Sequence, residues 1–140
     1  MNPFSYRIHA STMFQYAARY GAEVVDTDKL VLAADQEPLS GLGYLTYYEN
    51  WNEPDKTWET LDGYYSPYEL AAMTSADYDG HEGRLGDTYG VKNADPNSKL
   101  VLGGVASNST YVQYLDLMKT WFEHNRTDKK LAFDVINYHI

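Results

Sequence analysis

The chain contains no cysteine among its 140 residues, which excludes disulfides and thiolate chemistry but says little about compartment. Cations are scarce. Lys and Arg total 11 against 20 for Asp and Glu, a formal charge of -9. Such a surface repels phosphate backbones, so no nucleic-acid partner is expected. No apolar run approaches the roughly 20 residues of a membrane span, so no membrane partner is expected either. MNPFSYRIHA lacks the basic-then-apolar pattern of a signal peptide, so any export signal lies outside these residues or does not exist. His9, His81 and His124 share no metal-ligand spacing, and neither a metal nor another cofactor is expected. No phosphate-loop context surrounds Gly103 and Gly104, which read instead as a strand end passing close to a neighbouring backbone or ligand.

Aromatics are abundant, at 15% of residues with 14 tyrosines. A flat apolar face joined to a hydroxyl suits surfaces that bind sugars, although packing into a core explains many such rings equally well. Hydrophobic content of 44% and charged content of 22% fit one globular domain.

Along the chain, helix and strand signals alternate. Ser11 is placed to cap a helix through STMFQYAARY, with Gly21 as its stop. LVLAA at 30–34 reads as a short strand or loop, and the aromatic GYLTYYENWN at 43–52 as a strand. Ser66 and Glu69 form a capping box around Pro67, which predicts a helix to about residue 77. Residues 78–98 read as loop with a short helical turn. KLVLGG at 99–104 reads as a buried strand, and YVQYLDLMKTWFEHN as a long helix capped by Asn108 or Ser109. FDVINYHI at 133–140 reads as a strand. This order implies βαβ units and a parallel sheet, whose C-terminal strand ends, near 50–53 and 139, are where such folds place their chemistry.

At the first of those ends stands WNEPD, residues 51–55. Pro54 disfavours the helical region for the residue before it, so Glu53 is expected to be extended and carried past the sheet. Asn52 supplies an amide that donates and accepts, while Trp51 and the tyrosines lower the local polarity, which would raise the pKa of Glu53 toward that of a general acid. NEP also occurs in plain turns, and the residues alone leave both readings open.

WNEPD after an aromatic strand resembles the acid/base motif of the clan A retaining glycoside hydrolases, most of all the family-39-like branch of β-xylosidases and α-iduronidases. The resemblance implies a (β/α)8 barrel whose acid/base glutamate follows strand four and whose nucleophilic glutamate follows strand seven. Glu53 would be the acid/base, and Asn52 would bind the hydroxyl beside the anomeric carbon. KLVLGG would be strand five. FDVINYH is similar to strand six, where His139 would lie in the sugar cleft; the other reading is a core histidine bonded to a carbonyl. Trp51 and Trp58 would also face the substrate, an oligosaccharide or polysaccharide, with Asp55 near a neighbouring subsite. Trp58 could equally anchor its loop. The parent enzyme implied is a secreted or periplasmic bacterial protein.

A retaining mechanism needs a second carboxyl roughly 5 to 5.5 Å from the first. Glu59, Glu69, Glu82 and Glu123 end no plausible later strand, and Glu49, four residues back on one strand, is about 13 Å away. A whole barrel takes ~250 residues. The expectation is therefore a central piece of one catalytic barrel, strands four to six with helices three to five, spanning 1–140. It carries Glu53 without its nucleophile, and its uncovered edges favour self-association. A non-catalytic carbohydrate-binding or inactive barrel is the alternative. DYDGHEG at 77–83 begins like a calcium loop but has its glycine at the wrong position, and reads as a solvated turn.

Overall fold

The computed structural model describes residues 1–60, 63–106 and 111–139. The helices are α1 (Arg7–Tyr20), α2 (Pro67–Asp79), α3 (Val91–Ala94) and α4 (Tyr111–Asn125), and the strands are β1 (Tyr47–Glu49), β2 (Lys99–Val105) and β3 (Val135–Tyr138). Both strand pairs are parallel, in the order β1-β2-β3, so the fold is α/β with helices in both crossovers. Among the described residues no helix is long and apolar enough to cross a membrane.

Alternation along the strands decides which side is covered. Tyr48, Leu100 and Leu102 point into the helices and are buried, whereas Tyr47 is 64% exposed on the other face. Leu102 packs with Leu70, Met73, Met118 and Phe122 from α2 and α4. Leu100 and Tyr48 pack with Met13, Phe14 and Ala17 from α1. Truncating a leucine buried this fully costs about 2–5 kcal/mol. One helical layer therefore holds one sheet face, and the C-terminal strand ends are presented from it.

Several local expectations are corrected. Ser11 does not cap α1 but lies inside it; Asn2 accepts from the Phe4 N–H at 3.0 Å and Pro3 opens a 3-10 turn that runs straight into the helix. Asn-Pro at 2–3 was the stronger start signal. Gly21 does end α1. Residues 30–34 form no strand. The strand expected over 43–52 shortens to Tyr47–Glu49 plus a bridge from Asn52 to Gly104. Its first residues are claimed by α1 instead: the N–H groups of Tyr44 and Leu45 donate to the free carbonyl of Tyr20. The capping box of α2 forms, with Glu69 Oε2 accepting from the Ser66 N–H at 2.9 Å and Ser66 Oγ from the Glu69 N–H at 3.3 Å. The last strand contracts to Val135–Tyr138; just before it, Asp134 accepts from the Leu100 N–H at 2.9 Å and fixes where β3 joins β2. The expected cap of α4 at Asn108 or Ser109 lies outside the described residues.

Candidate active site

WNEPD leaves β1 as five residues with different fates. The Trp51 ring turns away from the open face, packing against the helical core and meeting Tyr65 edge-on at 5.1 Å. Half-buried there, it walls the sheet from the helices. Asn52 is exposed and bridges to Gly104. Pro54 and Asp55 are buried, and the Asp55 carboxylate accepts from the Ala106 N–H at 2.9 Å. That bond clamps the loop to the end of β2, so Asp55 serves the scaffold rather than a subsite. Trp58 is 60% exposed.

Glu53 is not extended. Its φ is 49°, in the left-handed region that a non-glycine residue adopts only under constraint. Pro54 excludes the ordinary helical region as expected, but the chain escapes to positive φ instead of to the strand region. Three bonds hold it there. The Glu53 N–H donates to the Gly104 carbonyl at 3.0 Å, the Lys56 N–H donates to the Glu53 carbonyl at 3.3 Å, and the Tyr65 N–H donates to the Pro54 carbonyl at 2.7 Å. Strain of this kind costs on the order of 1–3 kcal/mol and persists where its surroundings over-determine it.

The side chain it delivers meets His139. Glu53 Oε1 and His139 Nδ1 are 3.0 Å apart, with the two side chains 29% and 34% exposed. The pair joins the loop after β1 to the residue just after β3, across the C-terminal end of β2. The two glycines of β2 make that possible. A Cβ on Gly103 would stand 2.5 Å from the Trp51 carbonyl oxygen, and a Cβ on Gly104 would overlap the His139 ring. The close approach expected of the Gly-Gly doublet is thus to both neighbours at once. Asn137 was missed in the sequence, though it lies two residues before His139 and therefore on the same strand face. Its Nδ2 is 3.0 Å from where a Gly104 Cβ would stand.

Behind the sheet a buried relay supports this end. Asn50 donates to Thr74 Oγ1 at 3.0 Å and Asp77 Oδ2 at 3.2 Å, and accepts from the Gly103 N–H at 3.0 Å. Asp77 Oδ1 meets His9 Nδ1 at 2.9 Å. Burial raises the Asp77 pKa, against the pull of His9 and Asn50. For His9, burial opposes the charged ring, but the bond to Asp77 and its charge outweigh it and raise the pKa.

The remaining acidic turn is not solvated, which corrects that expectation. Asp77 is fully buried, His81 packs against Ser75 at 2.9 Å, and Asp79 pairs with Arg126 at 2.7 Å. Glu82 accepts from the N–H groups of Thr127 and Asp128. The signal for this was the lone arginine at the end of α4, able to meet several carboxylates with its planar fork. Among the described residues no group of three or more potential ligands is placed to hold a metal.

A cavity of about 470 Å³ lies elsewhere, between α1 and residues 30–39, lined by Ile8, Tyr16, Leu30 and Leu39 together with Arg7 and Arg19. Its lining includes no carboxylate.

No family model matches the chain, and no curated protein or solved structure matches it. The strand-end geometry therefore carries the functional argument alone.

Proposed function

We propose that the chain belongs to a retaining glycoside hydrolase, as the strand-four-to-six portion of a (β/α)8 barrel of the family-39-like kind. Glu53 is its general acid/base. The observation that carries this reading is the Glu53–His139 contact at the C-terminal end of a parallel sheet. In the first step the Glu53 carboxyl gives its proton to the glycosidic oxygen as the bond to the anomeric carbon breaks. In the second, the resulting carboxylate takes a proton from the water that hydrolyses the glycosyl-enzyme intermediate. His139 holds one carboxylate oxygen and leaves the other to the proton transfer. The exposed amide of Asn52 is left to bind a sugar hydroxyl. The nucleophilic carboxyl, which belongs about 5 to 5.5 Å from Glu53, is assigned to a residue outside the described ones. The substrate is an oligosaccharide or polysaccharide, and no metal or cofactor takes part in the proposed steps.

The test is Glu53→Gln in the enzyme that contains this chain. Turnover of unactivated glycosides falls by about 10²–10⁴-fold, and that of aryl glycosides with good leaving groups falls far less, because they need no protonation. Near-unchanged turnover on both substrates refutes the assignment.

A second reading, sugar binding without turnover, is favoured by the exposed indole of Trp58 on the loop beyond Glu53. Calorimetric titration of the chain with xylo- and galacto-oligosaccharides, beside an activity assay, separates the two. The edges of the sheet, β1 and β3, also favour self-association, which sedimentation velocity of the isolated chain reads directly.

A further inference from the structure

Glu49 ends β1 on the open face, and one of its oxygens is used twice. Oε1 accepts from the Gly104 backbone N–H at 2.9 Å and from Asn137 Nδ2 at 2.8 Å. Gly104 belongs to β2 and Asn137 to β3, so a single oxygen ties all three strands together at their C-terminal ends.

The tie falls where the sheet is irregular. The register between β2 and β3 shifts between Leu102 and Val105. Gly104 lies within that stretch, bridged to Asn52, and its buried N–H is given a side-chain acceptor. Glu49 supplies it.

Gly104 also stands between the two halves of the candidate catalytic pair. Its carbonyl accepts from the Glu53 N–H at 3.0 Å, and its missing Cβ is the space that the His139 ring occupies. The His139 N–H in turn donates to the Val105 carbonyl at 3.1 Å, one residue further along the same stretch. A displacement of the Gly104 peptide therefore moves Glu53 through one bond and His139 through another. Misplacement by about 1 Å is enough to cost an enzyme on the order of 10²-fold in rate.

We propose that Glu49 is a positioning residue: by accepting from Gly104 and Asn137 it fixes the β2 irregularity and so sets the Glu53 carboxylate against the His139 ring. Its catalytic consequence rests on the acid/base reading of Glu53; the geometric claim does not. Acceptor geometry carries the role, so an uncharged acceptor of the same length preserves it.

Proton NMR of the chain labelled with ¹⁵N in its histidine rings tests this. The hydrogen-bonded Nδ1–H of His139, assigned by its loss in Glu53→Ala, disappears in Glu49→Ala and in Gly104→Ala while both variants still unfold cooperatively. It persists in Glu49→Gln, whose amide oxygen accepts the same two bonds. Should Glu49→Ala fail to fold, Glu49→Asp, one methylene short of Gly104, loses the signal in its place. Persistence of the signal in Glu49→Ala or Glu49→Asp overturns the proposal, as does its loss in Glu49→Gln or its absence from the unmutated chain. In the enzyme that contains the chain, Glu49→Ala lowers kcat by on the order of 10²-fold at nearly constant KM, and Glu49→Gln restores most of it. If Glu53→Gln leaves turnover intact, the acid/base reading fails while the resonance result stands on its own.

Discussion

Two acidic turns of this molecule, one after β1 and one after α2, are built from similar residues and do opposite things. At the turn after α2, Arg126 arrives from the end of α4 almost wholly enclosed, its side chain 1% exposed, and every nitrogen donates: Nε to Asp128, one terminal nitrogen to Ser75 and Asp79, the other to Asp79 and Asp128. In the turn after β1, Glu53 meets one side chain among the described residues and keeps 29% of its own side chain open. Bonding capacity is exhausted in the first and held in reserve in the second. A saturated network stabilises; a carboxyl with a free oxygen and one orienting partner is what proton transfer needs. The positive φ at Glu53 is a local cost that the surrounding backbone bonds sustain.

The largest effect expected of this contrast is at Arg126. Arg126→Ala removes the cation that Asp79 and Asp128 share and should cost about 3 kcal/mol, at the lower end for a broken buried pair because both carboxylates are partly exposed. Urea denaturation reads it. Glu53→Gln, by comparison, should change stability by less than about 1 kcal/mol, as for an exposed pair. Equal losses in the two variants would erase the distinction.

Acid sharpens the same comparison. Burial works against the charge of Glu82, but bonds from the Thr127 hydroxyl and N–H and the Asp128 N–H, with the charge of Arg126, hold its pKa down at about 2 against an ordinary 4.5. A depressed pKa means that its stabilisation is complete above 4.5 and is lost as pH falls through the folded value. Urea midpoints followed from pH 6 to pH 2 should therefore decline more steeply for the unmutated chain than for Glu82→Gln. Parallel declines would mean that Glu82 is not part of the saturated network.

The smallest effect is a gain. Asparagine tolerates left-handed backbone better than glutamate does, so Glu53→Asn should raise stability by about 0.5 kcal/mol while removing the proposed proton donor. A melting temperature that falls instead would show that the Glu53–His139 contact contributes more than the backbone costs.

Much of this arrangement was legible beforehand. The capping box at Ser66–Glu69, the periodic run from Tyr111 to Asn125 and the apolar KLVLGG each name their element through local chemistry, and their alternation implies parallel pairing. WNEPD drew attention to Glu53 and the strand-end pattern to His139, and the structure brings those two together. Residues 43–46 were misread because their strand propensity competes with the unsatisfied carbonyls at the end of α1, a competitor distant in sequence. Asp55 was misread because one motif was read as pointing one way, whereas consecutive residues leave a strand toward different sides. The turn after α2 was misread because its partner, Arg126, lies beyond a whole βα unit.

By itself, then, the sequence determined what depends on neighbours in the chain: where helices start and stop, which segments alternate, and that a carboxylate must emerge beside a proline. Only tertiary structure decided which polar groups are saturated and which stay open, because that depends on donors brought from other elements. Gly104 makes the point most directly. Nothing beside it in the chain explains the missing side chain, and only the arrival of His139 from the far strand does.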